Sequence, residues 1–355
     1  MDQLGITKVR SHYHKFYFYF NLTELELGYY KLLSNIAVLD SKIPQNSTIN
    51  GVFTILKDNC DLFREQLSKF TPRVKRSLLD GLGTIIKYIT GNPDNNDLKE
   101  INKNLDILFK NQDKLLKQIN KQTSFANHIT ERYSNDIKSI QTGINLSIQT
   151  INTLSSMFET QSIVQYSNHM ARKLLNTLQM IERTISLASS NIVNLEVISN
   201  SELISIIDHV RSIYKQTELL DLDTQHLFTI LDFSKVRIVS VSQIITCILY
   251  IPILNPTLYR YSRIYPIPNS QDKVIIPPAK YYLLGEEKEF WTEEDCKTFR
   301  NQTICIEEPR IDKCSLVHDI HDCICAIANN NYRLFTQLKD GKILISSKLD
   351  INIVN

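Results

Sequence analysis

The sequence lacks the features that mark several common classes of protein. Its 40 Lys and Arg residues nearly balance 38 Asp and Glu residues, and the net charge of +2 gives no electrostatic basis for binding nucleic acid. It contains no P-loop, no glycine-rich nucleotide turn and no G-x-S-x-G nucleophile motif. The eight histidines are scattered, and only His318 and His321 lie close together in the chain. We therefore expect no enzyme activity, no cofactor and no metal site.

Proline and glycine are scarce over a long central stretch. Pro93 is followed by no proline until Pro252, and Gly143 is the only glycine in that span. These two residue types break helices most strongly, so their scarcity predicts a helical block. Outside the block, tyrosine and proline become frequent and the pattern turns strand-like, notably over 234–282. The fold class predicted from composition is therefore α+β.

Long apolar runs of the kind used for export or anchoring are also missing. Met1–Arg10 does not have the basic and then apolar order of a secretory signal, and Phe16–Phe20 alternates as a strand does. Val236–Leu254 is the most apolar window, but it contains charged and proline residues and is rich in β-branched ones, which favours strands. We expect a chain truncated at both ends, without signal peptide or membrane anchor.

The cysteines and glycosylation sequons nevertheless indicate an oxidising compartment. Seven cysteines occur, five of them in the last sixty residues, and only Cys323 and Cys325 approach the spacing of a zinc site. Disulfides are the better interpretation. The candidates are Cys60, Cys296, Cys305, Cys314, Cys323 and Cys325. The candidate N-glycosylation sites are Asn21, Asn46, Asn145 and Asn301. We expect a location on the cell surface or in secretions.

A basic tetrapeptide forms the most informative local motif. Arg73, Lys75 and Arg76 match the R-x-K-R pattern cleaved by furin-like proteases, although a solvated basic turn after Pro72 would look the same. The apolar, glycine-bearing segment that follows is shorter than the roughly 20 residues needed to cross a bilayer. It suits oblique insertion into a membrane, and a buried helix start is the alternative. Its candidate insertion residues are Ser77, Leu78, Leu79, Asp80, Gly81, Leu82, Gly83, Ile85, Ile86, Ile89 and Gly91.

A helix with near-heptad apolar spacing is predicted from Leu98 onward. Its apolar positions are Leu98, Ile101, Leu105, Leu108, Leu115, Ile119, Ala126, Ile129 and Tyr133, then, after a four-residue stutter, Ile137, Ile140, Ile144, Ile148, Ile151, Leu154 and Phe158. Isoleucine-rich seams of this kind favour a three-stranded coiled coil, with local unwinding at the stutter. The same periodicity also fits a helix packed inside its own monomer. Two further amphipathic runs cover 170–195 and 203–214, with Ser201-Glu202 as the expected cap of the second.

The cleavage motif and the segment after it resemble those of a known family. Asp80, Gly81, Leu82, Gly83, Ile86, Lys87, Gly91 and Asp94 match the insertion-peptide pattern of baculovirus F-type envelope fusion proteins and of the Env proteins of gypsy-like insect retroviruses (errantiviruses). Ser77 stands where these proteins more usually have glycine. The resemblance extends to Phe20–Thr23, to Tyr265–Pro268 and to the evenly spaced Cys296, Cys305, Cys314 and Cys323.

The resemblance implies a trimeric class I viral fusion glycoprotein related in architecture to paramyxovirus F. It implies an upstream fragment over 1–76, a fusion peptide over 77–94, a helical region with the first heptad repeat over 95–233, and a β-rich disulfide-containing region over 234–355. The upstream fragment would remain tethered by a disulfide. Cys60 is the only cysteine before the cut, so it would be the tether, with a partner more readily in the C-terminal cluster than at Cys247.

Three functions are compatible with these features. The first is membrane fusion after cleavage at Arg76, with a target membrane, a cell-surface receptor, a furin-like protease and two further copies of the chain as partners. Its trigger would be acidic pH or a receptor. The second is a truncated or captured Env descendant that blocks a receptor without fusing membranes. The third is a helical-bundle scaffold with an accidental basic loop.

Overall fold

The chain folds into two compact units in a computed structural model. The structure describes residues 1–44, 47–70, 86–88, 116–152, 156–220, 226, 228–241, 243–268, 273–300, 302–306, 326–329 and 334–346. One unit comprises 1–13, 214–223 and 252–355, and the other comprises 14–213 and 224–251. We call them the β unit and the helical unit. Strand β1 (Asp2–Asn21) begins in the first and ends in the second.

Antiparallel strands rich in tyrosine build the β unit. Its strands are β7 (Tyr259–Arg263), β8 (Lys273–Ile276), β9 (Tyr281–Leu284), β10 (Glu289–Thr292), β11 (Lys297–Phe299), β12 (Gln302–Cys305), β13 (Ala326–Asn329), β14 (Leu334–Gln337) and β15 (Ile343–Ser346). Strand β7 pairs with the first half of β1 and with β9, which pairs with β10. Strand β12 pairs in parallel with β1 and antiparallel with β11. Val9, Tyr259, Tyr261 and Leu283 are buried around the Cys296–Cys305 disulfide.

The helical unit is a bundle arranged around one long helix. Its described α-helices are α1 (Leu22–Asp40), α2 (Ile49–Phe70), α3 (Asn127–Asn152), α4 (Met157–Ser189), α5 (Asn200–Ile213) and α6 (Thr229–Phe233). Helix α4 packs against α1, α2 and α3, and α1 also packs against α3. A capping box starts α4: Ser156 Oγ accepts from the Glu159 amide at 3.2 Å, and Glu159 Oε2 accepts from the Ser156 amide at 3.0 Å. The cap fixes where this helix begins.

A sheet in the same unit carries the second half of β1. Its other strands are β2 (Ile86–Tyr88), β3 (Leu116–Asn120), β4 (Thr123–Ala126), β5 (Lys235–Val241) and β6 (Ile244–Leu254). Strand β4 pairs in parallel with β1 and antiparallel with β3. On the other side of β1 the order is β6, β5 and β2. Strand β6 is buried along almost its whole length, as the apolar window over 236–254 predicts for strands.

The prediction of one long helix from Leu98 is wrong for residues 116–126. These residues form the β3–β4 hairpin. Ile119 lies in β3 and Ala126 ends β4, so helix α3 starts only at Asn127. It stops at Asn152, and α4 begins separately at Met157. The positions from Leu98 to Leu115 lie outside the described residues. The sequence pattern predicts one helix, whereas the described residues of 116–152 and 156–160 form a hairpin and parts of two helices.

The apolar seam within α3 is buried inside its own chain. Ile129, Ile137, Ile140 and Ile144 are each at most 4 % exposed. Their helix packs against α1 and α4, which is the alternative interpretation of the seam. Phe158, the last seam position, is 79 % exposed. No described helix combines the length and the apolar character needed to cross a membrane.

Candidate functional site

Two polar clusters in the helical unit join β4 and α3 to α5. Both elements lie within residues 98–158, over which the sequence predicts the apolar seam and which we call the seam region. The first cluster, which we call the histidine–serine relay, consists of His14 on β1, Ser124 on β4 and His209 on α5. Ser124 Oγ lies 3.0 Å from His14 Nε2 and 2.8 Å from His209 Nε2. His14 and Ser124 are completely buried. The parallel pairing of β4 with β1 brings the serine to the histidine on the neighbouring strand.

The relay suits two uncharged imidazoles. A hydroxyl donates one hydrogen bond and also accepts, so Ser124 can donate to one ring and accept an N–H from the other. The Phe16 ring packs edge-on to His209 at 5.8 Å between ring centroids and also contacts the His14 ring at 4.8 Å. Burial in this apolar setting lowers the pKa of the His209 imidazole from its ordinary value of 6.5.

The second cluster, which we call the Arg132 clasp, fixes the start of α3 to the start of α5. Arg132 Nε and Nη2 donate to the two carboxylate oxygens of Glu202 at 2.8 and 2.9 Å, and Nη2 also donates to the Val197 carbonyl at 2.6 Å. Glu202 Oε2 accepts from the Ser199 amide at 2.7 Å, and Ser199 Oγ accepts from the Glu202 amide at 3.3 Å. The cap of α5 is thus Ser199, one turn before Glu202 and two residues before the predicted Ser201.

Charge pairing in the clasp overcomes the cost of burial. Burial alone would raise the pKa of the Glu202 carboxyl, but the hydrogen bonds from Arg132 and Ser199 hold that pKa below its ordinary value of 4.5. The bidentate geometry is the strong form of an arginine–carboxylate pair. Together the relay and the clasp tie β4 and α3, two consecutive pieces of the seam region, to the same short helix.

Arg132→Ala is expected to lower the free energy of unfolding by about 2 kcal/mol, because it leaves the buried Glu202 carboxylate without its cation. The matched control is Arg183→Ala, which breaks a pair with Glu196 whose side chains are 58 % and 54 % exposed. Such exposed pairs contribute about 0–1 kcal/mol. Urea unfolding of both variants tests this, and equal losses would contradict the structural role of the clasp.

The predicted cleavage and insertion residues lie almost entirely outside the described residues. This holds for Arg73, Lys75 and Arg76 and for all the insertion residues except Ile86. Ile86 is the first residue of β2, which pairs antiparallel with β5. The paired residues are Ile86 with Val241, Lys87 with Ser240 and Tyr88 with Val239. The backbone of this part of the segment is therefore a strand at the edge of the helical unit's sheet.

The predicted cysteines have different outcomes. Cys296 and Cys305 form a disulfide across the nine-residue spacing noted in the sequence, whereas Cys314, Cys323 and Cys325 lie outside the described residues. Cys60 is a free thiol, 2 % exposed on the buried face of α2, and this contradicts its prediction as a disulfide tether. Burial raises the pKa of the Cys60 thiol to about 12, so almost none of the reactive thiolate is present at neutral pH.

Of the predicted sequons, the structure describes Asn21 and Asn145. Asn21 is the cap of α1, and its Oδ1 accepts from the Thr23 amide at 3.0 Å. Asn145 is exposed on α3. Asn46 and Asn301 lie outside the described residues. Across the part of the chain that is described, no group of three or more His, Cys, Asp and Glu residues is arranged to hold a metal ion.

We expect Asn145 to carry a glycan when the chain is secreted, because its side chain projects from an exposed helical position. Asn145→Gln should then increase gel mobility by the equivalent of one glycan. Deglycosylation should erase the difference between the variant and the parent chain. Equal mobility before deglycosylation would contradict the assignment.

Sequence reasoning missed the relay and the clasp. His14, Ser124 and His209 are separated by more than eighty residues at each step, so no local pattern connects them. A weak signal existed for the strand that carries Ser124, since Thr123 and Phe125 both favour strands. For the clasp, Glu202 was noted as part of a cap, but its partner on another helix was not.

Comparison with known proteins identifies the class to which this chain belongs. A family described as Gypsy protein matches residues 5–354, which is nearly the whole chain. The chain therefore belongs to the Gypsy protein family. This membership confirms the resemblance to the Env proteins of gypsy-like insect retroviruses and makes the chain an envelope-like protein. No curated protein matches it.

Proposed function

We propose that this envelope-like chain mediates membrane fusion as a class I fusion protein after cleavage at Arg76. In this proposal the described structure is the compact state before fusion. Residues 77–94 enter the target membrane, and the seam region becomes a continuous helix in a trimer. A furin-like protease, a cell-surface receptor and two further copies of the chain are the proposed partners.

The observation that carries the proposal is the disagreement between pattern and structure over 116–160. The apolar spacing is that of one helix, whereas the chain folds there as the β3–β4 hairpin, α3 and α4. A segment that refolds needs a sequence compatible with two different structures. The apolar spacing of this segment is compatible with one continuous helix as well as with the hairpin and helices that it forms. Helix α4 extends to Ser189 and is preceded by the extended Ser156, so helix formation through the α3–α4 connection would join the two helices into one rod.

Apolar side chains near the α3–α4 connection supply part of the driving force. Leu146, Met157 and Phe158 are 57 %, 54 % and 79 % exposed in the compact state. Burying such surface contributes about 25 cal/mol per Å². A trimeric coiled coil that buried Phe158 in its seam would therefore favour the extended form without any cofactor.

The position of β2 fits release of the insertion segment. Among the described strands, β2 ends the strand order of its sheet and has β5 as its partner. Removing an edge strand breaks one ladder of hydrogen bonds and leaves the β5–β6 pairing intact. In our proposal, cleavage after Arg76 frees the chain next to this strand.

Cleavage dependence tests the proposal. Arg76→Ala, in a chain joined to a secretory signal and a membrane anchor, should abolish syncytium formation between expressing cells because the protease needs arginine before the cut. Val74→Ala, in the same tetrapeptide, keeps all three basic residues and should fuse normally. Unchanged syncytia with Arg76→Ala would overturn the proposal. Protection of cells from a related virus without any fusion would instead support the receptor-blocking function.

A further inference from the structure

We propose that the histidine–serine relay is a proton sensor that holds the seam region in its compact form and releases it in mild acid. The inference rests on the proposed function and names the trigger of that refolding. It assigns the role of sensor to His209, acting through Ser124 and His14. The receptor alternative is then an outcome of the test.

The hydrogen bonds of the relay favour two uncharged rings or one charged ring over two charged rings. Each protonated imidazole is a donor at both nitrogens, so two charged rings could only donate to Ser124. The hydroxyl hydrogen would then have no acceptor among the two rings. The centroids of the buried His14 ring and the half-buried His209 ring are 6.1 Å apart, and two positive charges at this separation repel each other. Acid therefore converts the relay from an attractive link into a repulsive one.

Charged groups around His209 are engaged elsewhere. On α5, Asp208 and Arg211 pair with each other at 3.4 Å, and Glu202 is held by Arg132. On β1, the Lys15 ammonium lies over the Tyr250 ring at 5.8 Å. Strand β4 contributes no ionisable side chain between Thr123 and Ala126. Burial lowers the pKa of His209, and no carboxylate among the described residues acts to raise it.

The sign of the linkage favours release in mild acid. Because the pKa of His209 is lower in the folded state than its ordinary 6.5, the unfolded or extended chain binds more protons as the pH falls below 6.5. Stability of the compact state is then lost progressively as the pH passes through the folded pKa. The pKa of Glu202 in the Arg132 clasp is held below its ordinary value of 4.5, so the clasp stays paired at pH values where protonation of His209 already opposes the compact state. Loss of stability through the relay therefore begins at a higher pH than loss through the clasp.

The relay also lies at the right place to control refolding. Ser124 belongs to β4, which must leave β1 before residues 116–126 can become helical. His209 belongs to α5, which is also bound to the first turns of α3 through the clasp. When the relay is lost, the β3–β4 hairpin is no longer held to α5, whereas α3 is still bound to α5 through the clasp. The hairpin is therefore released before α3.

The test is the pH midpoint at which the anchored, cleaved protein becomes sensitive to trypsin within the helical unit. His209→Gln can hydrogen-bond to Ser124 but cannot be protonated, and we expect its midpoint to lie at least about 0.5 pH unit below that of the parent chain, as its removal from the linkage requires. His169→Gln removes an exposed histidine of α4 and should leave the midpoint unchanged. His14→Gln is the second variant and should shift the midpoint in the same direction.

The outcomes separate this inference from the proposed function. An unchanged midpoint in both His209→Gln and His14→Gln, or a parent chain with no transition between pH 7.5 and 4.5 that converts on adding receptor-bearing cells, would overturn the sensor. If His209→Gln is already sensitive to trypsin at neutral pH, the pH midpoint of His14→Gln is the test: a lower midpoint than in the parent chain supports the sensor, and an unchanged one overturns it. A shifted midpoint in a protein that never forms syncytia would support the sensor and overturn fusion.

Discussion

A disulfide between positions 87 and 240 is expected to abolish fusion and to release it again on reduction. Lys87 on β2 and Ser240 on β5 are direct partners in an antiparallel pair. Such partners have Cα atoms about 4.5–5.5 Å apart, within the range that a disulfide spans. The double variant Lys87→Cys with Ser240→Cys should therefore close a covalent bond between the insertion segment and the sheet. A segment fixed to β5 cannot reach a target membrane.

Single-cysteine variants are the controls for this lock. Lys87→Cys alone and Ser240→Cys alone should fuse with or without reductant, since neither can form the bond. Formation of the bond is checked separately, by the loss of the two introduced thiols. This measurement tests whether β2 lies beside β5 even where fusion is not measured. Normal fusion by a double variant shown to be cross-linked would refute release of the segment from β5.

Met157→Pro is expected to block fusion while leaving the compact state as stable as before. Met157 is the first residue of α4, a position where proline is well tolerated because its amide has no helical partner. Ser156 has φ −126° and ψ 154°, the extended conformation that a following proline requires. Within a continuous helix the same proline would be an interior residue and would cost about 3 kcal/mol in each chain of a trimer.

Two matched substitutions isolate the effect of this proline. Met157→Ala changes the same side chain but favours helix, so it should fuse. Gln149→Pro falls inside α3 and should destabilise the compact state itself, which would appear as a lower melting temperature. Fusion by Met157→Pro at the level of Met157→Ala would show that α3 and α4 are not joined during the reaction.

Local periodicity predicted several of the described helices and strands, because the apolar spacing of each such element is contained in its own residues. Helices α4 and α5, within which most of the predicted amphipathic runs over 170–195 and 203–214 fall, and the strands over 235–254 follow from such spacing. The β3–β4 hairpin could not be predicted this way. Its strand β4 pairs with β1, more than a hundred residues earlier, and that distant partner decides between helix and strand. The failure falls within the segment that we propose to refold.

The candidate site depended on distant contacts to a still greater extent. Cys60 was assigned to a tether because it alone precedes the cut, but its position on the apolar face of α2 gives it a core role that counting cysteines cannot reveal. Cys296 and Cys305 were among the predicted disulfide residues, and their pairing came from the structure. The relay needed three chain segments to meet, which no single stretch of sequence encodes.

The distance between positions 138 and 172 tests the refolding of the seam region most directly. In the compact state α3 and α4 pack closely: a Cβ on Gly143 of α3 would lie 2.5 Å from the Tyr166 hydroxyl and 3.1 Å from Met170 Sδ on α4. Packed helices have axes about 8–10 Å apart. Spin labels at the exposed Lys138 and Arg172 should therefore report a short distance before triggering. In one continuous helix the same 34-residue step spans about 51 Å at 1.5 Å per residue. The account predicts a change to about 50 Å in cleaved protein after triggering, and persistence of the short distance in protein that has fused membranes would contradict it.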